Sequence, residues 1–418
     1  MSLMRPFIPC AQPRSHLLRL GASLLVLLAS SACHTPPSGC NATSSMGADL
    51  QRCASPRWEP VQQHGDIPPA VWEAGVSFAR TDGDREVVYR YGGQRGNFPD
   101  DFTVNDFHAL DVSTATWTNL TTSETPAARA ESLLLPGPCN HCVSIVGGRG
   151  RFRTGSDLMF PEMWTYDTSS QHWLGVSTEA LGDAFAVRRS SALVVEVPVA
   201  GHSGKTVVYA FGGVGNTLPR FATTSTGLRN DVAVHDQDTG WRLVPTSGEQ
   251  PVPRAWVAGG YDPDSHSLLV FGGYRLGADQ GPSTPAGELF GPTNYENDLW
   301  SLSLETFTWT RLHPTGPLPA PRDNAMAFFD TSRGGLVVFG GQRFDGLVSD
   351  LWFYSVRDNQ WTELALDPSS VPPARVGGVA FLRETPTTYE FYLNGGATSD
   401  GGDSMFLDDL WRLSWAKN

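Results

Sequence analysis

One short pattern occurs six times in the chain, and this repeat limits the possible folds more than any other feature. In each copy a strand-like run of β-branched and aromatic residues ends in two glycines, as in "SLLVFGG" and "GLVVFGG". The diglycines are Gly92-Gly93, Gly147-Gly148, Gly212-Gly213, Gly272-Gly273, Gly340-Gly341 and Gly395-Gly396. Such self-similarity predicts a repeat protein in which each unit completes its core by packing on its neighbours.

Other residues recur at fixed places around each diglycine. Downstream, an acidic residue opens a further strand, as in "NDLWSLS", and five units then continue with a tryptophan strand, at Trp117, Trp173, Trp241, Trp309 and Trp361. Upstream, five units begin with an arginine, at Arg129, Arg189, Arg254, Arg322 and Arg375, whereas the first unit has Val71. We interpret the tryptophans as packing anchors and the aspartate of "NDLW" as an acceptor of backbone hydrogen bonds. The arginines are interpreted as ties between units, and we expect this tie to be missing in the first unit, where Val71 replaces the arginine.

Four strands per unit, with a diglycine, "DLW" and a later tryptophan, resemble the kelch repeat over about residues 58–418. WD40 repeats are the nearest competitor, but they are shorter and carry a Trp-Asp pair that is absent here. The resemblance implies an all-β fold, a six-bladed kelch-type β-propeller of four-stranded sheets around a central channel.

The two ends of the repeat region complement each other. The last unit stops after its third strand, in "DDLWRLSWAKN", and "PRWEPV" places a tryptophan ahead of the first unit. We therefore expect Trp58–Val61 to supply the missing fourth strand of the last blade, so that residues 57–418 form one closed propeller. Closure removes an open sheet edge that would otherwise invite aggregation.

The first 33 residues predict export. Arg5, Arg14 and Arg19 precede the apolar run "LGASLLVLLASSAC", which is too short to span a bilayer as a mature helix. This segment resembles a bacterial lipoprotein signal, in which Cys33 would become the lipidated first residue; ordinary cleavage is the alternative. The expected product is a membrane-anchored lipoprotein, periplasmic or on the outer surface, or otherwise a secreted protein.

Residues 34–56 are rich in Ser, Pro and small residues and predict a flexible tether. Cys40 and Cys53 lie in it and are expected to pair in an oxidising compartment. The whole chain has 30 Lys+Arg against 43 Asp+Glu, a net charge of -13. That balance argues against nucleic acid as a partner and against membrane contact other than through the lipid anchor.

The order of strands assigns each loop to a face. The loops after the diglycines and the connections with the repeat arginines emerge on one side, while the turns before the tryptophans emerge on the other. From the second glycine to the acidic residue of the next strand, the interval Gly273 to Asp298 is the longest and Gly341 to Asp350 the shortest. Because insertions in repeat proteins collect on the binding face, this variable side is the predicted binding face.

Arginines cluster where the channel mouth is expected. Arg95, Arg149, Arg151, Arg275 and Arg343 follow the diglycines, and with the repeat arginines Arg129, Arg254, Arg322 and Arg375 they form a predicted cationic ring that binds ligand. The guanidinium fork suits carboxylates, which favours a uronic or sialic acid or an acidic loop of a partner. In the alternative interpretation these arginines pair with Asp100, Asp101, Glu131 and Asp345 and hold the loops in place.

The sequence "PGPCNHCVS" contains the only two cysteines of the predicted propeller, Cys139 and Cys142. We expect a disulfide across the first hairpin of the second blade; free thiols and a metal bound with His141 are the alternatives. A structural zinc site needs a second pair of ligands, which the chain lacks. We expect no metal and no cofactor.

The leading functional hypothesis is a non-catalytic interaction module at the cell envelope that recognises a protein or a glycan through the loop face at the channel mouth. The alternative is an enzyme, since bacterial sialate mutarotases are also exported kelch proteins and act on an anionic sugar. That alternative rests on fold analogy and the arginine ring, and no catalytic residue is assigned. Galactose oxidase chemistry is disfavoured because it needs a cysteine-tyrosine cross-link and the propeller's cysteines are the hairpin pair.

Overall fold

A computed structural model describes most of the repeat region. The described residues are 56–77, 80–82, 85–96, 102–137, 139, 141–151, 157–176, 191–202, 205–215, 227–277, 291–400 and 403–417. The predicted signal peptide, nearly all of the tether, and Cys33, Cys40 and Cys53 lie outside these ranges, as does Arg189. Among the described residues, no helix is both long and apolar enough to cross a membrane.

Six antiparallel sheets form the six predicted blades, and the first strand of each blade lines the channel. Blade 1 contains Gly75–Val76, Arg85–Tyr91, Phe107–Asp111 and Thr116–Asn119. Blade 2 contains Leu133–Pro136, Cys142–Val146, Met163–Asp167 and His172–Val176. Blade 3 contains Leu193–Pro198, Thr206–Phe211, Val232–Asp236 and Gly240–Val244.

The second half of the chain repeats this order with longer strands. Blade 4 contains Ala258–Asp262, Ser267–Tyr274, Tyr295–Ser303 and Thr308–Leu312. Blade 5 contains Met326–Asp330, Gly335–Arg343, Gly346–Ser355 and Gln360–Leu364. Blade 6 contains Val379–Glu384, Thr388–Asp400, Asp403–Ala416 and, as its outer strand, Arg57–Pro60.

The N-terminal strand closes the propeller as predicted. Arg57–Pro60 pairs antiparallel with Asp403–Ala416, with Trp58 opposite Leu413. Trp58 is only 1% exposed, and its ring centroid lies 4.6 Å from that of Phe339 in blade 5. The strand therefore completes the last sheet and packs on the neighbouring blade.

Contacts between outer-strand tryptophans and the residues before the diglycines hold the blades together. The aromatic ring directly before a diglycine contacts the tryptophan of the next blade in the pairs Tyr91 with Trp173, Phe211 with Trp309, Phe271 with Trp361 and Phe339 with Trp58. All six outer tryptophans are buried, which confirms their predicted role as packing anchors. Such aromatic contacts stabilise beyond the area that they bury.

The diglycine is required by backbone geometry. Gly272 has φ +66° and Gly273 φ +102°, and the pairing register shifts between Phe271 and Gly273 as in a β-bulge. The Gly273 N–H donates to the carbonyl of Arg322 in the next blade at 2.8 Å. A Cβ on Gly272 would lie 2.8 Å from the same carbonyl oxygen, so the two blades approach this closely only without a side chain.

Beyond the diglycines, the second and third strands continue as raised hairpins on what we call the diglycine face. In blade 5 the predicted shortest loop is the turn between Gly335–Arg343 and Gly346–Ser355. Blade 6 has a longer hairpin, between Thr388–Asp400 and Asp403–Ala416. The Cys139–Cys142 disulfide, with Cα atoms 5.1 Å apart, lies in the hairpin that ends at the opposite face of blade 2.

Candidate functional site

The repeat arginines are buried ties within the blades. Arg254 is 1% exposed and donates from Nε to the carbonyl of Val252 and from Nη1 to that of Gly272. Its two terminal nitrogens also donate to the Asp298 carboxylate, at 2.5 and 3.0 Å. The Trp300 indole N–H donates to the same carboxylate at 2.7 Å. In blade 4 this arginine therefore secures the diglycine and the third strand.

The aspartate of "NDLW" has a different role from the predicted one. We expected backbone N–H groups to donate to Asp298, whereas its donors are the side chains of Arg254 and Trp300. Burial alone would raise the pKa of Asp298, but the hydrogen bonds and the charge of Arg254 hold it below its ordinary value. The Asp298 carboxylate is therefore ionised and paired with Arg254.

Three further arginines repeat this arrangement. They pair as Arg129 with Glu162, Arg322 with Asp350 and Arg375 with Asp409, and each arginine is at most 1% exposed. Because these guanidinium groups are enclosed within the blades, Arg129, Arg254, Arg322 and Arg375 do not reach a ligand at the mouth, which corrects their predicted ligand-binding role. In blade 1 Val71 is buried at the equivalent place. We predicted ties between units, but the ion pairs of these arginines lie within their own blades.

The arginines that follow the diglycines are also engaged. Arg149 donates from Nε to Glu131 at 2.8 Å and from Nη2 to Glu73. Arg343 pairs with Asp345 at the tip of the blade 5 hairpin. The alternative interpretation predicted such contacts, in which Glu131 and Asp345 pair with arginines and hold the loops in place. The other two predicted partners, Asp100 and Asp101, lie outside the described residues.

The remaining predicted arginines do not form a cationic ring. Arg275 pairs with Glu296 of the same blade. Arg95 donates from Nε to the carbonyl of Ala70 at 3.4 Å. The side chain of Arg151 lies outside the described part of the chain.

A ring of six backbone positions surrounds the channel mouth. Each lies two residues after a repeat-arginine position and has φ between +51° and +63°; the members are Glu73, Glu131, Ser191, Trp256, Asn324 and Gly377. Neighbours are joined by hydrogen bonds: each of the N–H groups of Glu73, Glu131, Trp256 and Asn324 donates to the carbonyl of the ring residue in the preceding blade. We call these six residues the mouth ring. Left-handed backbone at five non-glycine residues is sterically costly and persists because neighbouring blades fix it.

Below the mouth ring, the six inner strands enclose a cavity of about 800 Å³. The lining is largely apolar but includes Glu73, Glu131, Glu196 and Glu384. No lysine or arginine is among the described residues that line it. Glu73 and Glu131 are both paired with Arg149, so the charges of these two carboxylates are compensated at the mouth.

Aromatic residues form one wall of the mouth. Trp256 lines the cavity, and its indole N–H donates to Oε1 of Glu131 at 3.2 Å. Its ring meets Tyr274 edge-on with centroids 5.7 Å apart, and Tyr274 meets Tyr295 at 6.1 Å. This wall joins blade 2, which supplies Glu131, to the raised strands of blade 4.

Asp323 stands behind this wall with an unusual carboxylate. The residue is 5% exposed, and its Oδ1 has no hydrogen-bond partner in the described part of the chain. Burial raises the pKa of Asp323 to about 7, while the side chain of Asn324 donates to it. Burial and the nearby Asp323 charge raise the pKa of Tyr274 to about 12.

Glu73, Trp256 and Asp323 were not predicted from the sequence, and Glu131 was predicted only as a partner of an arginine. The signal that reveals the mouth ring is a column in the aligned repeats, two positions after each arginine, at which the residue type changes from unit to unit. Within the described ranges, no three or more His, Cys, Asp or Glu side chains are grouped to hold a metal ion.

Comparison with known proteins identifies the repeat. The family described as "KLHDC2/KLHL20/DRC7 Kelch-repeats domain" matches residues 199–418, more than half of the chain. The chain belongs to the kelch-repeat family. Kelch propellers generally act as protein-interaction modules.

Several curated proteins resemble this kelch propeller. Kelch domain-containing protein 2 of Bos taurus is 28% identical over 269 residues, 62% of this chain and 59% of the relative. Host cell factor homolog hcf-1 of Caenorhabditis elegans is 27% identical over 240 residues, covering 53% and 27%. Acyl-CoA-binding domain-containing protein 4 of Arabidopsis thaliana is 24% identical over 326 residues, covering 77% and 42%. The match spans less than two thirds of each of these relatives.

Proposed function

We propose that this kelch propeller is a non-catalytic protein-binding module that recognises its partner with the diglycine face. The observation that carries the proposal is the distribution of exposed apolar side chains. Among the described residues, six large hydrophobic side chains are strongly exposed, and only Leu174 of these lies on an outer strand. The other five belong to the raised hairpins or to the connections that lead to the repeat-arginine positions.

The raised hairpins present the most accessible of these side chains. Phe344 at the tip of the blade 5 hairpin is 57% exposed, and Met405 on the blade 6 hairpin is 48% exposed. The connections add Ile67, Val252 and Leu318, each more than 40% exposed. Aromatic and methionine side chains are enriched in protein interfaces, where burial of such groups contributes much of the binding energy.

The opposite face is built differently. Its turns are short and closed by their own carboxylates: Asp111 accepts from the backbone N–H and hydroxyl of Ser113, and Asp330 accepts in the same way from Ser332. These side chains use their hydrogen-bonding capacity within the turn. The opposite face therefore offers fewer groups to a partner than the diglycine face does.

The N-terminal segment supports a cell-envelope setting for this module. We propose that residues 1–33 direct export and that Cys33 is lipidated, so that the diglycine face meets an envelope or extracellular protein. A membrane-fraction assay comparing the wild type with Cys33→Ser tests this part. Retention of the wild type in membranes and release of the variant supports it, and equal release of both contradicts it.

Face-specific substitution tests the binding proposal. The full chain with a C-terminal affinity tag is compared with Phe344→Asp/Met405→Asp on the diglycine face and with Arg357→Glu, an exposed site in an opposite-face turn with its side chain 72% exposed. We expect a partner that is captured by wild type and Arg357→Glu to be lost with the double variant. Equal capture by all three, or loss only with Arg357→Glu, contradicts the proposal.

A further inference from the structure

We infer that the contact between blade 6 and blade 1 is an acid-sensitive latch, in which protonation of His108 beside Arg90 loosens the ring of blades. We call this contact the 6–1 seam. Arg90 and His108 are neighbours, because they lie opposite each other in the pairing of Arg85–Tyr91 with Phe107–Asp111. The latch belongs to the ring itself and acts whether or not the diglycine face binds a partner.

The other blades carry no charge at these two positions. The second-strand residues equivalent to Arg90 are Ile145, Ala210, Val270, Val338 and Leu393, all fully buried. Opposite them, where blade 1 has His108, the third strands carry Trp164, Ala233, Trp300, Trp352 and Trp411. Blade 1 also has Val71 in place of the repeat arginine. Its buried cation therefore lies on the second strand, beside a histidine, and not at the entry to the blade.

The two side chains are enclosed but poorly satisfied. Arg90 and His108 are each 3% exposed. Nε and Nη1 of Arg90 and Nδ1 of His108 are buried and have no hydrogen-bond partner among the described residues. Nη2 of Arg90 donates to the carbonyl of Pro69 at the long distance of 3.4 Å. Because a buried charge without good partners costs free energy, a second positive charge at this place costs more still.

The pair faces blade 6. A Cβ on Gly395, the first glycine of the blade 6 diglycine, would lie 3.3 Å from Nη2 of Arg90. The next residues on the same face of the blade 1 sheet pack against blade 6 in a cluster that contains Val88, Leu110, Phe381, Tyr392 and Leu410. A change of charge at Arg90 and His108 therefore acts on the contact between two blades.

Charged groups surround the pair on several elements. Those that face it are Asp66 in the connection into blade 1, Arg95 and Asp106 in blade 1, and Asp408 in blade 6. Further charged groups of these blades are paired among themselves, as Arg375 with Asp409, Arg383 with Glu86 and Glu390, and Arg412 with Glu59 and Glu390. The hydroxyl of Tyr392 also donates to Glu390. No carboxylate of the described residues forms a hydrogen bond with Arg90 or His108.

The electrostatics of the seam keep His108 neutral. Burial, and after it the charge of Arg90, lowers the pKa of His108 to about 4, although Asp106 and Asp66 act in the opposite direction. Burial also lowers the pKa of Arg90 to about 10, so the guanidinium stays charged at neutral and acid pH. The closed seam therefore contains one positive charge and excludes a second.

Acid favours the open seam for this reason. When the blades separate, water reaches the imidazole and the pKa of His108 returns toward its ordinary value of 6.5. Between pH 6.5 and pH 4 the open form thus holds a proton that the closed form lacks, and the stability of the seam falls as the pH falls. The connection that contains Pro69 also carries the exposed Ile67, so the loosened seam frees part of the diglycine face.

Backbone amides that donate from one blade to the next report on seam opening directly. Across the 6–1 seam, the N–H of Gly396 donates to the carbonyl of Val71 at 3.0 Å, and that of Glu73 donates to blade 6. The equivalent amides between blades 4 and 5 are those of Gly273 and Asn324. These two pairs of amides allow one seam to serve as the internal control for the other.

Hydrogen–deuterium exchange resolved to single residues is measured on the wild-type full chain at pH 7.5 and pH 5, with protection factors corrected for the intrinsic exchange rate. We expect the protection of Glu73 and Gly396 to fall ~10-fold or more at pH 5, because only the open seam binds the His108 proton tightly. Gly273 and Asn324 should keep their protection. Equal losses at the two seams, or no loss at Glu73 and Gly396, overturn the inference.

The control seam contains no buried histidine. The two histidines of blades 4 and 5, His266 and His313, are exposed. Asp323 of blade 5 has a pKa raised to about 7 by burial, so its protonation in acid acts with the opposite sign to that of His108. A loss of protection in acid is therefore expected at the 6–1 seam and not between blades 4 and 5.

A pair of variants assigns the effect to His108. His108→Gln removes the titrating group and keeps Arg90, and we expect it to abolish the acid-induced loss of protection at Glu73 and Gly396. The matched control is His172→Gln, at a histidine whose side chain is 68% exposed, which should respond as wild type does. An unchanged acid response in His108→Gln overturns the inference.

Thermal melts at pH 7.5 confirm that both variants fold. If His108→Gln does not fold, the comparison of the two seams in the wild type decides alone. No partner is present in these measurements, so failure of the latch is distinguishable from failure of the proposed function.

Discussion

Arg254 donates from both terminal nitrogens to the carboxylate of Asp298, at 2.5 and 3.0 Å, although 44 positions separate the two residues in the chain. The arginine is 1% exposed and the aspartate side chain 8%. The Nη1 group also reaches the carbonyl of Gly272. One side chain thus links the beginning of a blade, its diglycine and its third strand.

Removing the arginine leaves the aspartate charge buried without its partner. We expect Arg254→Met to lower the free energy of unfolding by ~3–5 kcal/mol, and Arg254→Met/Asp298→Leu to recover most of the loss. Urea denaturation measures both. The matched control is Arg343→Met, whose pair with Asp345 is 34% and 62% exposed and should contribute less than ~1 kcal/mol. A loss for Arg254→Met no larger than that of the control would refute the structural role.

The diglycine makes a separate prediction. Gly272→Ala places a Cβ 2.8 Å from the carbonyl oxygen of Arg322, whereas Gly334→Ala, at nearly the same φ, meets nothing within 4 Å. Both variants carry the left-handed penalty of ~1–2 kcal/mol, and only Gly272→Ala forces neighbouring blades apart. We expect the melting temperature to fall clearly further for Gly272→Ala. Equal melting temperatures would mean that φ alone explains the diglycine.

Asp323 predicts a pH dependence of stability. Its folded-state pKa, about 7, lies above the ordinary value of 3.8, so between these values the folded protein holds a proton that the unfolded chain has lost. Its contribution therefore destabilises the fold progressively as the pH rises from about 4 to 7, and stays constant above that. Asp323→Asn removes this term.

The comparison is made by urea denaturation at pH 5 and pH 8. We expect the stability of Asp323→Asn relative to wild type to be greater at pH 8 than at pH 5. Asp298 and Asp350, whose pKa values are lowered, act with the opposite sign but are common to both proteins. A difference between variant and wild type that does not change with pH contradicts the buried, proton-binding role of Asp323.

The fold was predictable because its determinants are repeated and local. The diglycine bulge, the buried tryptophan and the closing strand at Trp58 each depend on a short stretch of residues that recurs or complements another copy. A pattern that occurs six times is not produced by chance. The same regularity reveals the repeat arginines in the sequence. Val71 then stands out as the one repeat position of this kind that is not an arginine.

The site was less predictable because its charge depends on pairings that no spacing in the sequence reveals. Arg149 reaches Glu73, which lies 76 positions away in another blade, and this contact pairs an expected ligand-binding cation with a carboxylate of the protein itself. The residues of the mouth ring share a backbone position and differ in side chain. Their importance appears only when the six blades are arranged around the channel.

Site-specific photo-crosslinking in living cells tests most directly whether the diglycine face is the binding face. A benzoylphenylalanine is placed at Phe344 on that face or at Arg357 on the opposite one, in the otherwise unchanged full chain. We expect a discrete crosslinked partner from position 344 and none from position 357. Crosslinking to the same partner from position 357, with none from position 344, would contradict the proposal.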